Sequence, residues 1–304
     1  MAKTRTIVED DLQFIQTVIG PQLQKPKTVE IRPSKNHRLL INYCSLKPVL
    51  NISGKIILLL TGFGSGWTGI AKLGYDFVKL GYKVFMLSLP GYGNSSDPLS
   101  ANYDQIYFYG FDWEAHILKC FIDKVLPGKR IHLVGHSMSG AIITFLPAYS
   151  PNLISSLTLL NPAGFERRGM IYLAAKFGLN GILHSFAFRD NPIWAELKKF
   201  LPKENGAFSN WSRLRKRHNE GRIICDGGII PCLENTLRLG VPVACVWGTK
   251  DFVFPMRNSS IAKLSHGEYP SLEKIELPLW HNTTMLGSEI VAEKIDMFIS
   301  SLKQ

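Results

Sequence analysis

The chain has 304 residues, 45% of them hydrophobic and 19% charged, and a formal net charge of +11. With glycine and proline near average, these values exclude collagen-like, coiled-coil and mostly disordered classes and leave a soluble globular chain. At about twice a typical domain length, it can hold one α/β domain carrying an insertion.

Residues 1–27 read as an N-terminal extension. Lys3, Arg5, Glu9, Asp10 and Asp11 interrupt it with charge, so neither a secretory signal nor a transit peptide is expected, and the expected location is the cytoplasm. A hairpin follows, Thr28 to Arg32 and Leu39 to Ser45, turning through Pro33 to His37. The run Lys55 to Leu60 is unbroken and apolar, as befits a strand buried on both faces, and a glycine-rich loop succeeds it. A helix from about Trp67 to Leu80 leads to a strand at Tyr82 to Ser88, and one from about Tyr103 to Val125 precedes a strand at Ile131 to Gly135. A helix after Ser137 leads to the strand Ile154 to Leu160.

Alternating strands and helices imply a mostly parallel central sheet flanked by helices. The pattern breaks over residues 164–236, which show helical segments, irregular Pro/Gly punctuation and no buried strand. It resumes with a strand at Val241 to Trp247, a helix from about Pro255, a strand at Lys274 to Leu277 and a terminal helix from Ser288 to Leu302. The expected organisation is an α/β core of residues 28–163 and 237–304 with an inserted helical cap at 164–236. The weakly polar stretch Gly169 to Phe188 is broken by Lys176, Asn180 and His184, so it lacks the ~20 continuous apolar residues of a membrane span. Five cysteines, Cys44, Cys120, Cys225, Cys232 and Cys245, are odd in number and lack CxxC spacing, so they read as reduced thiols.

The strongest local signal is Gly135-His136-Ser137-Met138-Ser139-Gly140, between a strand pattern and a helix pattern. A serine on such a strained turn exposes its hydroxyl, and small neighbours relieve the crowding. Ser139 stands where this motif usually has its last glycine. The alternative for Ser137 is an ordinary helix N-cap. A serine hydroxyl is a poor nucleophile at neutral pH and needs an oriented base. Asp251 follows the Val241 to Trp247 strand and is the acid candidate, although it could simply cap the next helix, with another carboxylate serving instead. His281, just beyond the last strand, is the base candidate. All three fall at carboxyl ends of parallel strands, in the order Ser, Asp, His. Backbone amides of Met138 and Phe63, the latter in the loop Thr61 to Gly66, are the expected oxyanion donors. That loop lacks the GK[ST] ending of a phosphate loop.

With these motifs in place, residues 28 to 304 resemble the capped members of the α/β-hydrolase superfamily, which include esterases, lipases, carbon-carbon bond hydrolases, dehalogenases and epoxide hydrolases. Ser88-Leu89-Pro90-Gly91-Tyr92-Gly93 is similar to the family's turn after the second parallel strand; Thr61 stands where the family often has His, and Ser88 where it often has Asp. Dehalogenases and epoxide hydrolases carry Asp at the nucleophile position, so Ser137 favours ester-type hydrolysis. The resemblance implies that Ser137 attacks an acyl carbonyl with His281 as base, and that no metal or cofactor is required. Perhydrolysis and acyl transfer use the same constellation.

Trp67, Trp280, Phe177 and Phe186 are candidate pocket walls, with core packing as the alternative. Between Lys198 and Arg222 eight Lys/Arg stand against two acids. Arg213, Arg215, Lys216 and Arg217 then suggest an acidic carrier protein or an anionic membrane surface as partner, against the alternative of a solvated helix face. Nucleic acid is disfavoured because no zinc-finger, RNP or basic-zipper context is present. The expected function is a serine esterase or lipase-like hydrolase acting on a small-molecule or lipid-like ester, with a carbon-carbon bond hydrolase or thioesterase and a non-catalytic binding protein as rivals.

Overall fold

A computed structural model describes residues 2–35, 37–49, 52–96, 110–187, 191–206 and 208–302, with backbone only at 2–7 and 183–187. Among these, eight strands form one sheet in the order β1-β2-β4-β3-β5-β6-β7-β8. They are β1 (Lys27–Ser34), β2 (His37–Leu46), β3 (Ile56–Leu60), β4 (Lys83–Leu87), β5 (Ile131–His136), β6 (Ile154–Leu160), β7 (Val243–Gly248) and β8 (Leu272–Leu277). β1 and β2 pair antiparallel, as do β2 and β4, and every other pairing is parallel. The expected strands are therefore all present, within two residues at most boundaries.

The parallel strands are central because they are apolar on both faces. In β3, Leu58 and Leu60 enter the core on one side of the sheet, while Ile57 and Leu59 enter the core on the other. That period of two matches the pleat. The sheet is thereby covered twice, and its carboxyl edge is left for the site.

Helices α1 (Ala2–Phe14) and α2 (Gly20–Leu23) are joined by a π-helical turn, Ile15–Ile19. Ile15, Ile19 and Leu23 are fully buried, so the N-terminal extension is a core element. α3 (Ala71–Lys79) is preceded by a 3₁₀ turn, Trp67–Ile70, in place of the first turn of the expected helix. α4 spans Phe111–Val125; the helix expected from Tyr103 begins on residues outside those described, which resume at Gly110. α5 (Met138–Ile142) runs into a 3₁₀ segment, Ile143–Ala148, that contains Pro147.

Among the described residues between β6 and β7 lie four helices, α6 (Met170–Ala187), α7 (Pro192–Phe200), α8 (Trp211–Asp226) and α9 (Ile230–Arg238). α9 is tied to the core by Thr236 Oγ1, which donates to the Thr144 carbonyl. The helix expected from Pro255 is absent. Two 3₁₀ turns, Met256–Asn258 and Ser260–Lys263, stand there instead. Ser259 Oγ accepts from the Ile261 amide and Ser260 Oγ donates to the Phe165 carbonyl; such local side-chain bonds compete with a continuous helix. α10 (Ser288–Ser301) closes the fold. No helix among the described residues is long and apolar enough to cross a membrane, and all five cysteines are unpaired.

The basic segment differs most from expectation. Arg213, Lys216 and Arg217 are buried, and only Arg215 of the four named cations is exposed. Lys216 Nζ donates to Glu220 at 2.6 Å and to Glu114 of α4, Arg217 pairs with Glu220 and donates to the Gly91 carbonyl at 2.8 Å, and Arg213 donates to the Gly93 carbonyl at 3.2 Å. These three charges lie between the insertion and the β4 loop, where no carrier or membrane could reach them.

Candidate active site

β5 ends directly at Ser137, whose φ of +54° and ψ of −118° turn the chain into α5. A positive φ is costly for a residue with a Cβ and persists only when the surroundings over-determine it. Here they do: the Ser137 amide donates to the Leu160 carbonyl at 2.9 Å, and the Ser137 carbonyl accepts from the Gly140 and Ala163 amides at 3.0 Å. Gly135 is demanded by the same turn, since a Cβ there would sit 2.4 Å from the Ser139 carbonyl oxygen.

His281 Nε2 lies 3.1 Å from Ser137 Oγ, and His281 Nδ1 lies 2.8 Å from Asp251 Oδ2. The three residues are 1–3% exposed. An Nδ1–H facing a carboxylate leaves the Nε2 lone pair directed at the serine hydroxyl. Asp251 Oδ1 accepts the Val253 and Phe254 amides at 2.8 and 3.0 Å. Burial would push the Asp251 carboxyl up, but the His281 charge and hydrogen bond, with those two amides, outweigh it and hold the carboxyl below its ordinary value. Asp251 therefore stays ionised at neutral pH. Its loop is braced by Trp247 Nε1, which donates to the Phe254 carbonyl at 2.7 Å.

Two residues assigned no chemistry hold the histidine in place. Asn161, at φ +44° just after β6, donates from Nδ2 to the His281 carbonyl at 2.7 Å and to the Trp280 carbonyl at 3.2 Å, while its Oδ1 accepts the Gly248 amide at 2.7 Å. One amide thus joins the ends of β6 and β7 to the loop after β8. His136 Nε2 contacts the same His281 carbonyl at 2.9 Å. The sequence signal for Asn161 was its place before Pro162 at a strand's carboxyl end, where a turn and a site coincide.

The loop after β3 lies against the serine. A Cβ on Gly62 would approach Ser137 Cβ to 2.9 Å, so glycine is required for that approach. Ser139 Oγ donates to the Thr61 carbonyl and ties this loop to the turn. Met138 is the first residue of α5, so its amide has no carbonyl behind it within the helix. Phe63 lines the cavity above Ser137. Met138 thus follows the serine directly, and Phe63 shares the cavity wall with it.

That cavity has a volume of about 450 Å³ and includes Ser137 and His281 in its wall. Phe177 of α6 lines it, with ring centroids 5.7 Å from Phe63 and 6.2 Å from His281. The other three candidate walls fare differently. Trp67 is fully buried in the opposite core, donating from Nε1 to Asn42 Oδ1 at 2.8 Å. Trp280 is 43% exposed, lies against Phe252 with ring centroids 6.0 Å apart and is not part of the cavity wall. The Phe186 side chain lies outside the described residues.

The alpha/beta hydrolase fold family model matches residues 55–268, well over half of the chain. The chain belongs to the alpha/beta hydrolase fold family. It is 25% identical over 230 residues to Lipase 3 of Moraxella sp. (strain TA144), covering 70% of this chain and 68% of that one. It is 23% identical over 222 residues to the 2-hydroxy-6-oxononadienedioate/2-hydroxy-6-oxononatrienedioate hydrolase of Pseudomonas sp, covering 66% and 73% respectively. Among solved structures, the esterase EaEST from Exiguobacterium antarcticum superposes with a TM-score of 0.65 at 16% identity, over 91% of this chain and 100% of that one. A thioesterase domain from the curacin biosynthetic pathway superposes with a TM-score of 0.64 at 17% identity, over 90% and 99%. A lipase and a 2-hydroxy-6-oxononadienedioate/2-hydroxy-6-oxononatrienedioate hydrolase by sequence, and an esterase and a thioesterase domain by fold, are thus similar to one alpha/beta hydrolase chain, whose own reaction must be argued from its own residues.

Proposed function

We propose that this hydrolase cleaves a carboxylic ester through an acyl-enzyme, with Ser137 as nucleophile, His281 as general base and acid, and Asp251 as the orienting carboxylate. The observation that carries the reading is the continuous contact from Asp251 Oδ2 through His281 to Ser137 Oγ, at 2.8 and 3.1 Å. Ser137 Oγ adds to the acyl carbonyl as its proton passes to His281 Nε2, and the Met138 and Phe63 amides receive the oxyanion. The intermediate collapses, His281 gives the proton to the departing alcohol, and water, deprotonated by the same nitrogen, then releases the acid and restores Ser137. Asp251, held ionised, stabilises the transient imidazolium.

The helical insertion acts as a cap over this site through α6, and the five unpaired cysteines suit a reducing compartment such as the cytoplasm. A thioester or a carbon-carbon bond next to a ketone is the second reading, favoured by the Pseudomonas relative and the curacin thioesterase domain.

Hydrolysis of p-nitrophenyl esters of graded chain length, beside labelling by a fluorophosphonate, tests the reading. Wild type is expected to turn over and label, and Ser137→Ala to lose both, with kcat reduced at least roughly 10³-fold. Labelling without ester turnover would move the assignment to the thioester or carbon-carbon reading. Absence of both in folded protein would leave a binding protein.

A further inference from the structure

Polar side chains that make no hydrogen bond within the protein line the cavity, Thr61 and Asn282 on its loops and, of most interest, Asn180 and Thr284. Asn180, on α6 one turn beyond Phe177, is 7% exposed, and Thr284, three residues after His281, is 4% exposed. Among the described residues neither side chain makes a hydrogen bond, and Asn180 sets both a donor and an acceptor on the α6 side of the wall, beside the ring of Phe177. Buried amides are nearly always satisfied, and one left unpaired against an apolar ligand forfeits its hydration. Helical rise places Asn180 about 5 Å along α6 from Phe177, whose ring faces His281. Asn180 therefore meets whatever occupies the cavity whose wall also holds Ser137 and His281.

We infer that Asn180, assisted by Thr284, selects a substrate bearing a hydroxyl or keto oxygen a few bonds from the scissile carbonyl, an inference that rests on the ester-cleaving reading above. A plain hydrocarbon chain would displace the water on these groups and return nothing. An oxygenated chain replaces it, so the preference is set by the unpaired state of the wrong complex. Asn180 is a specificity residue and takes no part in bond cleavage.

The test compares p-nitrophenyl butyrate with p-nitrophenyl 3-hydroxybutyrate, and ethyl butyrate with 2-hydroxyethyl butyrate, so that the oxygen is offered on either side of the scissile bond. Rates are normalised to alkaline hydrolysis of each ester. Wild type should favour the oxygenated member of at least one pair by roughly 10- to 100-fold in kcat/KM. Asn180→Leu should erase that preference from both sides, slowing the oxygenated ester, which loses its partner, and speeding the plain ester, whose complex no longer strands a buried amide, while fluorophosphonate labelling reports whether Ser137 is still reactive. Thr284→Val, close to isosteric, should weaken the same preference if Asn180→Leu fails to fold. Equal rates within both wild-type pairs, or equal loss on both members in the variants, would overturn the inference while leaving the esterase reading intact. No turnover of any ester by folded wild type would overturn both.

Discussion

A single residue in an unfavourable conformation defines this site. Ser137 is held at φ +54° by three main-chain bonds, and the side chains next to it are equally constrained: Ser139 spends its hydroxyl on the Thr61 carbonyl, and Gly62 is bare because Ser137 fills the space its Cβ would need. His132, five residues earlier on β5, shows what burial does to a histidine with no acid beside it. Burial, then repulsion from Lys55 and Arg130, pushes its imidazole down to about 4, and Ser156 Oγ lies 2.8 Å from its Nδ1. The unfolded chain takes up a proton that the folded chain refuses between pH 6.5 and 4. Folding stability from this group is therefore complete above 6.5 and is lost as pH falls through that window, by roughly 3 kcal/mol at most. Urea unfolding at pH 7 and pH 5 should show His132→Gln losing less stability on acidification than wild type. An equally steep acid limb in the variant would assign the effect to another group.

Among the elements, α8 carries the sharpest departure from a linear reading. Its basic run suggested a surface, yet Lys216 and Arg217 meet Glu220 on their own helix and Glu114 from α4, and Tyr92 donates to Glu220 at 2.7 Å. Breaking one partner of a buried ion cluster costs more than the cluster contributes, because a charge is left uncompensated. Lys216→Met should accordingly destabilise the fold by about 3–5 kcal/mol, while Arg215→Ala, exposed on the same helix, should stay within about 0.5 kcal/mol. Burial pushes the Glu114 carboxyl up to about 7 even though Lys216 opposes the shift. A raised carboxyl favours the protonated folded state, so its stability contribution is lost as pH rises through 7. Removing Lys216 extends that dependence, and the Lys216→Met penalty should be larger at pH 8 than at pH 6 in denaturant titrations. A penalty independent of pH would show that Glu114 is not the group left exposed to the loss.

Over the whole molecule, the N-terminal segment and the site are held by contacts between distant parts of the chain. Ile19 is fully buried against the face of the sheet opposite α4. Ile19→Ala should cost about 2–4 kcal/mol, measured by urea midpoint, with fluorophosphonate labelling of the remaining folded protein unchanged. A cost below about 1 kcal/mol would mean that the segment is dispensable packing. The spacing of Ile15, Ile19 and Leu23, four residues apart, was a legible helix signal, but the charges ahead of it obscured the reading of residues 1–27.

The parts legible beforehand were those governed by short-range rules. Period-two and unbroken apolar runs marked β1 to β8, and the small residues around Ser137 marked the turn, because both reflect local sterics and burial on a sheet. Placing Asp251 and His281 after strands was also local, and a parallel sheet necessarily gathers the carboxyl ends of its strands. Only the tertiary structure decided that the acid, base and serine, separated by 30 and 144 positions, come within hydrogen-bond reach. It also decided that Asn161 fastens the histidine loop, that Trp67 supports the far core, that three basic residues are interior, and that Asn180 faces the cavity. A residue's type sets what it can bond, but whether its partner is water, a distant carboxylate or a substrate depends on which remote segment folds against it.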